Sequence, residues 1–164
     1  MRCVLLKVER QTELSAANKK VFSFYAIVML IIYVGYIFMN HLRVSREEQF
    51  AGEETSTEAI DSINQATIWM IGFEVSFALL FLVCGVISLY LYHKNDDFNL
   101  VRNYTVLNIG LFIVVALLGS GLSFVLSVKL SNLVQIVFIP TYLLVALVLY
   151  LIYTTRKKRE EDTL

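Results

Sequence analysis

Proline occurs once in this sequence, and cysteine and histidine twice each, and every one of these scarcities removes a class of protein. Cys3 and Cys84 cannot build a disulfide framework, and neither belongs to a C-x-x-C pair of the redox or zinc type. His41 and His93 fall at opposite ends of the first predicted hairpin, on different membrane sides, so they cannot share a metal or a haem. The chain has no Gly-rich phosphate loop, no H-E-x-x-H and no Ser/His/Asp arrangement. Neither an enzyme nor a resident cofactor or metal is expected from this inventory. Charge of one sign is also missing: Lys+Arg and Asp+Glu are 14 each, so no net field attracts nucleic acid.

What the sequence has in quantity is apolar surface. With 57% hydrophobic residues and a mean hydropathy of +0.67, the chain is too apolar for a water-soluble domain of this length. A membrane helix needs about 20 apolar residues to cover about 30 Å of hydrocarbon while satisfying its own peptide groups. Four stretches qualify, at about 21–39, 68–92, 106–128 and 133–153. No small-x-small cleavage site follows Met39, so the first reads as a retained span rather than a signal peptide. Aromatics near the span ends, Phe22, Phe24, Tyr25, Phe38, Trp69, Tyr90, Tyr92, Tyr150 and Tyr153, read as interfacial belts.

Orientation follows from the Lys/Arg bias of the short segments. Arg2, Lys7, Arg10, Lys19, Lys20, Lys94, Arg102 and the Arg156–Arg159 run lie on one predicted side, against Arg43, Arg46 and Lys129 on the other. Both termini are therefore expected in the cytoplasm, with the plasma membrane as the expected location. The predicted fold is an all-α, four-transmembrane-helix antiparallel bundle with a cytoplasmic N-terminal segment over 1–20 and a charged cytoplasmic tail over 154–164. In that N-terminal segment Val4, Leu6 and Val8 alternate like a strand while Leu5, Val8 and Leu14 suit a weak amphipathic helix, and a helix lying at the cytoplasmic surface is the favoured reading. Asn103-Tyr104-Thr105 matches a glycosylation acceptor, but it is read as lying in a cytoplasmic loop, where it would stay unmodified.

Residues 40–67 read as an extracytoplasmic helical hairpin that extends the first two spans. Gly52 marks its break, and Thr55 with Glu58 forms a capping box that starts the second helix near Ser56. The hairpin is acidic, with Glu47, Glu48, Glu53, Glu54, Glu58 and Asp61. Lys129–Asn132 is short enough to force the last two spans into an adjacent pair. Pro140 leaves the Ile136 carbonyl without its helical donor and should bend the fourth span.

Two features could carry function. Glu74 is the one ionisable side chain inside a predicted span, and intramembrane carboxylates ordinarily face a bundle interior, a cavity or a partner. Gln135 lies at a similar predicted depth and is its expected polar companion, ahead of Asn108 nearer the other end. The second feature is a set of small residues at helical spacing: Gly72, Ser76, Cys84 and Ser88 on the second span, then Gly119, Ser123 and Ser127 on the third. Such stripes let helices approach closely, within one bundle or between chains. The expected function is a non-catalytic accessory subunit that docks on another integral membrane protein, or on itself, through these faces and the acidic hairpin. The alternative is a small oligomeric transporter or channel subunit that uses Glu74 as a proton or cation site. Four-span architecture by itself licenses neither.

Overall fold

The computed structural model describes the backbone of residues 2–50, 57–95, 98–126 and 129–161, and side chains over 20–50, 57–58, 60–94, 98–126 and 129–156. Every regular element described is helical: α1 (Arg2–Gln49), α2 (Thr57–Asn95), α3 (Phe98–Leu126), α4 (Leu130–Val134), a 3-10 turn at Gln135–Val137, and α5 (Phe138–Glu161). Four helical stretches are long and apolar enough to cross a membrane: Lys20–Gln49, Ile60–Lys94, Phe98–Leu126 and Leu130–Arg156. This is the pattern of a multi-pass membrane protein.

The helices bury one stripe each, and the spacing of that stripe explains the packing. On α1 it runs Tyr25, Met29, Tyr33, Tyr36, Asn40; on α2 Ala66, Met70, Phe77, Phe81, Ser88, Tyr92; on α3 Val101, Tyr104, Asn108, Leu111, Val115. Steps of three, four and seven keep one face turned to the neighbours, as in coiled-coil packing. The fourth span contributes Leu133, Ile136, Pro140, Leu144 and Leu151. Much of the remaining apolar surface points outward: only 17% to 28% of each span's most apolar window is buried inside the chain. Phe124 is 93% exposed and Val125 77%, an outer surface that water would not tolerate and lipid would.

Several sequence expectations are corrected by these elements. No break separates residues 2–20 from the first span, since α1 is a single 48-residue helix, so this segment is not a separate surface helix. Asn103, Tyr104 and Thr105 belong to α3 rather than to a loop. Tyr104 and Thr105 are buried, and the Thr105 hydroxyl donates to the Val101 carbonyl at 2.8 Å. Asn103 itself is exposed on the surface of α3. Tyr25 and Tyr92 are buried at 4% and 6% exposure and pack inside, whereas Phe24, Phe38, Trp69, Tyr90 and Tyr153 face outward. Asn132, expected in the connection between the last two spans, is already inside α4.

α1 continues to Gln49 and α2 begins at Thr57, close to the expected start; Gly52, Thr55 and Ser56 lie outside the described residues. At 39 residues α2 is about 58 Å long, nearly twice what a bilayer core requires. Arg46 donates to the Ser62 carbonyl at 2.8 Å and ties the end of α1 to the start of α2, while Arg43 meets Glu47 at 3.4 Å one turn away. That ion pair is half-exposed and contributes well under about 1 kcal/mol.

Candidate functional site

The fourth span is broken where the site lies. Pro140 has no N–H to give the Ile136 carbonyl, and its ring crowds the preceding turn. The chain answers by tightening into the 3-10 turn at Gln135–Val137, where the Phe138 N–H reaches the Gln135 carbonyl. The Thr141 hydroxyl donates to the Val137 carbonyl at 2.6 Å. Pro140 itself is fully buried, so the break is held by packing and is not a frayed end. Its consequence is a groove of about 420 Å³ between α2 and this turn. Glu74 and Gln135 supply its polar lining, among Val75, Leu79, Leu82 and Ile139.

Glu74 stands between this groove and the bundle interior. Its carboxylate lies near the Tyr36 hydroxyl on α1. That hydroxyl, however, donates to the Asn132 carbonyl of α4 at 2.5 Å. A phenol has one proton to give, so Asn132 competes with Glu74 for it. The Glu74 Oε1 atom is shielded from solvent and has no hydrogen-bond partner among the described residues. A buried acceptor left unpaired costs roughly 1–3 kcal/mol, more if charged, so a bound group that donates to it would be strongly favoured.

Three more buried polar atoms without partners among the described residues lie toward the C-terminal end of α1: Asn40 Nδ2, His41 Nδ1 and Arg43 Nε. Asn40 is completely buried, and its Oδ1 accepts from Arg43 at 3.3 Å. His93, at the other end of the chain's second span, exchanges a hydrogen bond with Tyr150 at 3.0 Å and so links α2 to α5. Among the described residues, no three His, Cys, Asp or Glu side chains gather where a metal ion could be held.

The small residues separate into two groups. Gly119 is buried in the bundle: a Cβ added there would lie 3.0 Å from the Tyr33 hydroxyl and 3.3 Å from Val134. Ser88 is buried, Cys84 is half-buried beside the tyrosines Tyr25 and Tyr104, and Ser123 is half-buried. Ser127 lies outside the described residues. Gly72 and Ser76 are different: both are exposed, and nothing lies within 4 Å of a Cβ added at Gly72. The Ser76 hydroxyl turns back to the Gly72 carbonyl at 2.7 Å, which lets a serine face lipid with its donor satisfied.

Sequence reasoning missed a polar seam and two glycines that make it possible. Tyr25 donates to Asn108 Oδ1 at 2.7 Å, Asn108 Nδ2 to the Tyr104 carbonyl at 2.9 Å, and Tyr104 to the Phe81 carbonyl at 2.6 Å. Tyr33 adds a bond to the Val115 carbonyl at 3.1 Å. Gly85 leaves room for Tyr104, whose hydroxyl would sit 3.3 Å from a Cβ there, and Gly35 admits the Phe73 ring at 2.7 Å. The spacing of Tyr25, Met29, Tyr33, Tyr36 and Asn40 carried the signal, because five bulky or polar residues on one helical face mark a contact rather than a belt.

No protein-family model matches the chain, and neither do any curated protein or solved structure.

Proposed function

We propose that this is a non-catalytic membrane protein that works by docking on another integral membrane protein, with a helix of that partner lying along α2 and its polar group reaching Glu74. The observation that carries the reading is the shielded, unpartnered Oε1 of Glu74 at the mouth of a groove that opens beside an unpartnered helix face. Gly72, Ser76, Leu79 and Val83 are all exposed and share one side of α2, at the spacing that permits close helix approach. Gln135 offers a second hydrogen-bonding group to the same visitor. In this reading both termini are cytoplasmic, the membrane is the plasma membrane, and the four spans form an antiparallel bundle. Its first two helices project as an acidic hairpin, with Glu58 and Asp61 on its exposed surface. The pairing of Gly35 with Phe73 and of Arg46 with Ser62 supports the antiparallel course of α1 and α2.

The experiment is site-specific cross-linking in native membranes. A photoreactive side chain placed at Leu79 or Ile139 should give one discrete adduct, and the same group at Leu117 on α3, 68% exposed, should give none. Glu74→Leu should reduce the adduct about tenfold, since an intramembrane polar contact contributes up to about 1.7 kcal/mol. Equal labelling from all three positions, or a chain recovered only by itself after mild extraction, would refute docking on this face.

A second reading, a small transporter or channel subunit with Glu74 as a proton or cation site, draws on the Tyr36 contact on the bundle side of the carboxylate. It requires that Glu74→Gln abolish flux in liposomes while the fold stays intact. Undiminished flux in that variant removes it.

A further inference from the structure

A different end of the molecule carries a second kind of site. At the end of the bundle where α3 begins and the fourth span finishes, two grooves flank α3. One, of about 330 Å³, lies between α3 and α5 and is lined by Arg102, Arg156, Val106, Val148, Leu151 and Ile152. The other, of about 860 Å³, lies between α1 and α3 and is lined by Phe22, Ala26, Ile27, Arg102, Val106 and Leu107. Arg102 and Val106 belong to both. They form a ridge, one helical turn long, with a cation at its outer end and an exposed valine at its inner end.

We infer that this ridge binds one anionic phospholipid, with its phosphate over Arg102 and Arg156 and one acyl chain in each groove on either side of Val106. Neither arginine is in an ion pair among the described residues. Their level is fixed from below, because Val101 packs with Leu151 and Tyr92 in a small buried cluster at that end of the bundle. Beneath them the groove is lined by Val106 of α3 and by Val148, Leu151 and Ile152 of α5, about 6 Å along α3 and about 12 Å along α5. The two threonines there, Thr105 and Thr155, turn their hydroxyls back to the Val101 and Leu151 carbonyls. That is the arrangement a two-chain lipid requires, with guanidinium donors at headgroup depth and hydrocarbon-lined slots immediately beneath. A soluble phosphate would use the arginines and leave both slots unexplained. Lys20 opens the first span on the neighbouring helix and adds positive charge at the same end. The site is remote from the Glu74 groove, and it stands or falls independently of the docking role.

Native mass spectrometry of the full chain in mild detergent, with added phosphatidylglycerol or phosphatidylcholine of equal chain length, tests it. Wild type should retain phosphatidylglycerol in preference, and 10 mM inorganic phosphate, on the order of the excess a headgroup competitor would need, should not displace it. Arg102→Gln and Arg156→Gln should each lower that preference about fivefold. Lys94→Gln, which removes an exposed charge outside both grooves, should leave it unchanged. Val106→Trp should lower retention of both lipids by filling the mouths of the slots. Helicity and monodisperse elution identify any variant that has failed to fold, and Arg156→Gln, at an exposed position in the last turns of α5, then supplies the decisive comparison. Equal retention of the two lipids by wild type, displacement by phosphate, or a Lys94→Gln loss as large as that of Arg102→Gln would each overturn the assignment.

Discussion

Gly119→Leu should be the most damaging single substitution in the third span, destabilising the bundle by about 3 kcal/mol or more, at the upper end of overpacking costs. The position faces two neighbours at once. Tyr33 brings its hydroxyl to within 3.0 Å of where a Cβ would stand, on its way to the Val115 carbonyl, and Val134 of α4 closes the other side at 3.3 Å. Val134 and Leu133 begin the broken fourth span, so a larger side chain must either push that element out or eject Tyr33 from a fully buried position. Ejection would also leave a phenol without its acceptor in an environment that offers no water. Gly110→Leu and Gly121→Leu are the controls, because nothing lies within 4 Å of a Cβ at either, and both should be neutral or slightly stabilising through helix propensity. Fraction folded against detergent-denaturant ratio reads all three. Equal behaviour of Gly119→Leu and Gly110→Leu would mean that α1, α3 and α4 do not meet as described.

The same comparison separates folding from docking, which the small-residue pattern alone could not do. Gly72 and Gly119 are indistinguishable in the sequence, each a glycine followed by serine four residues later. One is buried against three neighbours and the other touches none. Spacing locates a face, but whether that face is already occupied depends on the crossing of helices distant in the chain. Gly72→Leu should therefore leave stability unchanged while abolishing the cross-link from Leu79, the reverse of Gly119→Leu.

Hydropathy was enough to place the four spans, because an apolar run long enough to cross a bilayer is a local property. A disturbance of the helix near Pro140 was equally legible, since the missing N–H is a property of one residue, and the 3-10 turn falls on Ile136, the carbonyl it leaves unpaired. Helix ends were harder to read. The polar residues of 98–105 look like a loop, yet Val101, Tyr104 and Thr105 are buried, and that packing carries α3 out to Phe98. Propensity yields to burial there. Glu74 was visible as an isolated carboxylate, and Gln135 as a residue at similar depth, but the groove they line exists only because the fourth span tightens beside α2. Gly35 and Gly85 gave no signal at all: each has no small residue four positions away on its own helix, and each is needed by a ring from elsewhere.

The second large effect belongs to Tyr104, where three helices are joined through one side chain. Its ring is completely buried, 6.0 Å from Tyr25 of α1 and 5.7 Å from Phe81 of α2, and its hydroxyl donates to the Phe81 carbonyl. Tyr104→Ala removes all of these contacts and leaves a cavity that lipid cannot enter, so the expected loss is about 3 kcal/mol, the low end for a buried aromatic truncation. Tyr104→Phe keeps the ring and loses only the bond to Phe81, for which about 0.6 kcal/mol is the ordinary membrane value. Asn108→Leu acts differently, because it strands the Tyr25 hydroxyl and should therefore cost more than the bond it deletes. The pair Tyr25→Phe with Asn108→Leu should then recover part of that loss, giving a coupling of about 0.5–1.5 kcal/mol in a double-mutant cycle. A cycle that closes to zero would show that Tyr25 and Asn108 do not hold α1 against α3. Independently of that cycle, a Tyr104→Ala loss no larger than that of Leu107→Ala, which removes a half-buried side chain on the next turn of the same helix, would show that Tyr104 does not join the three helices.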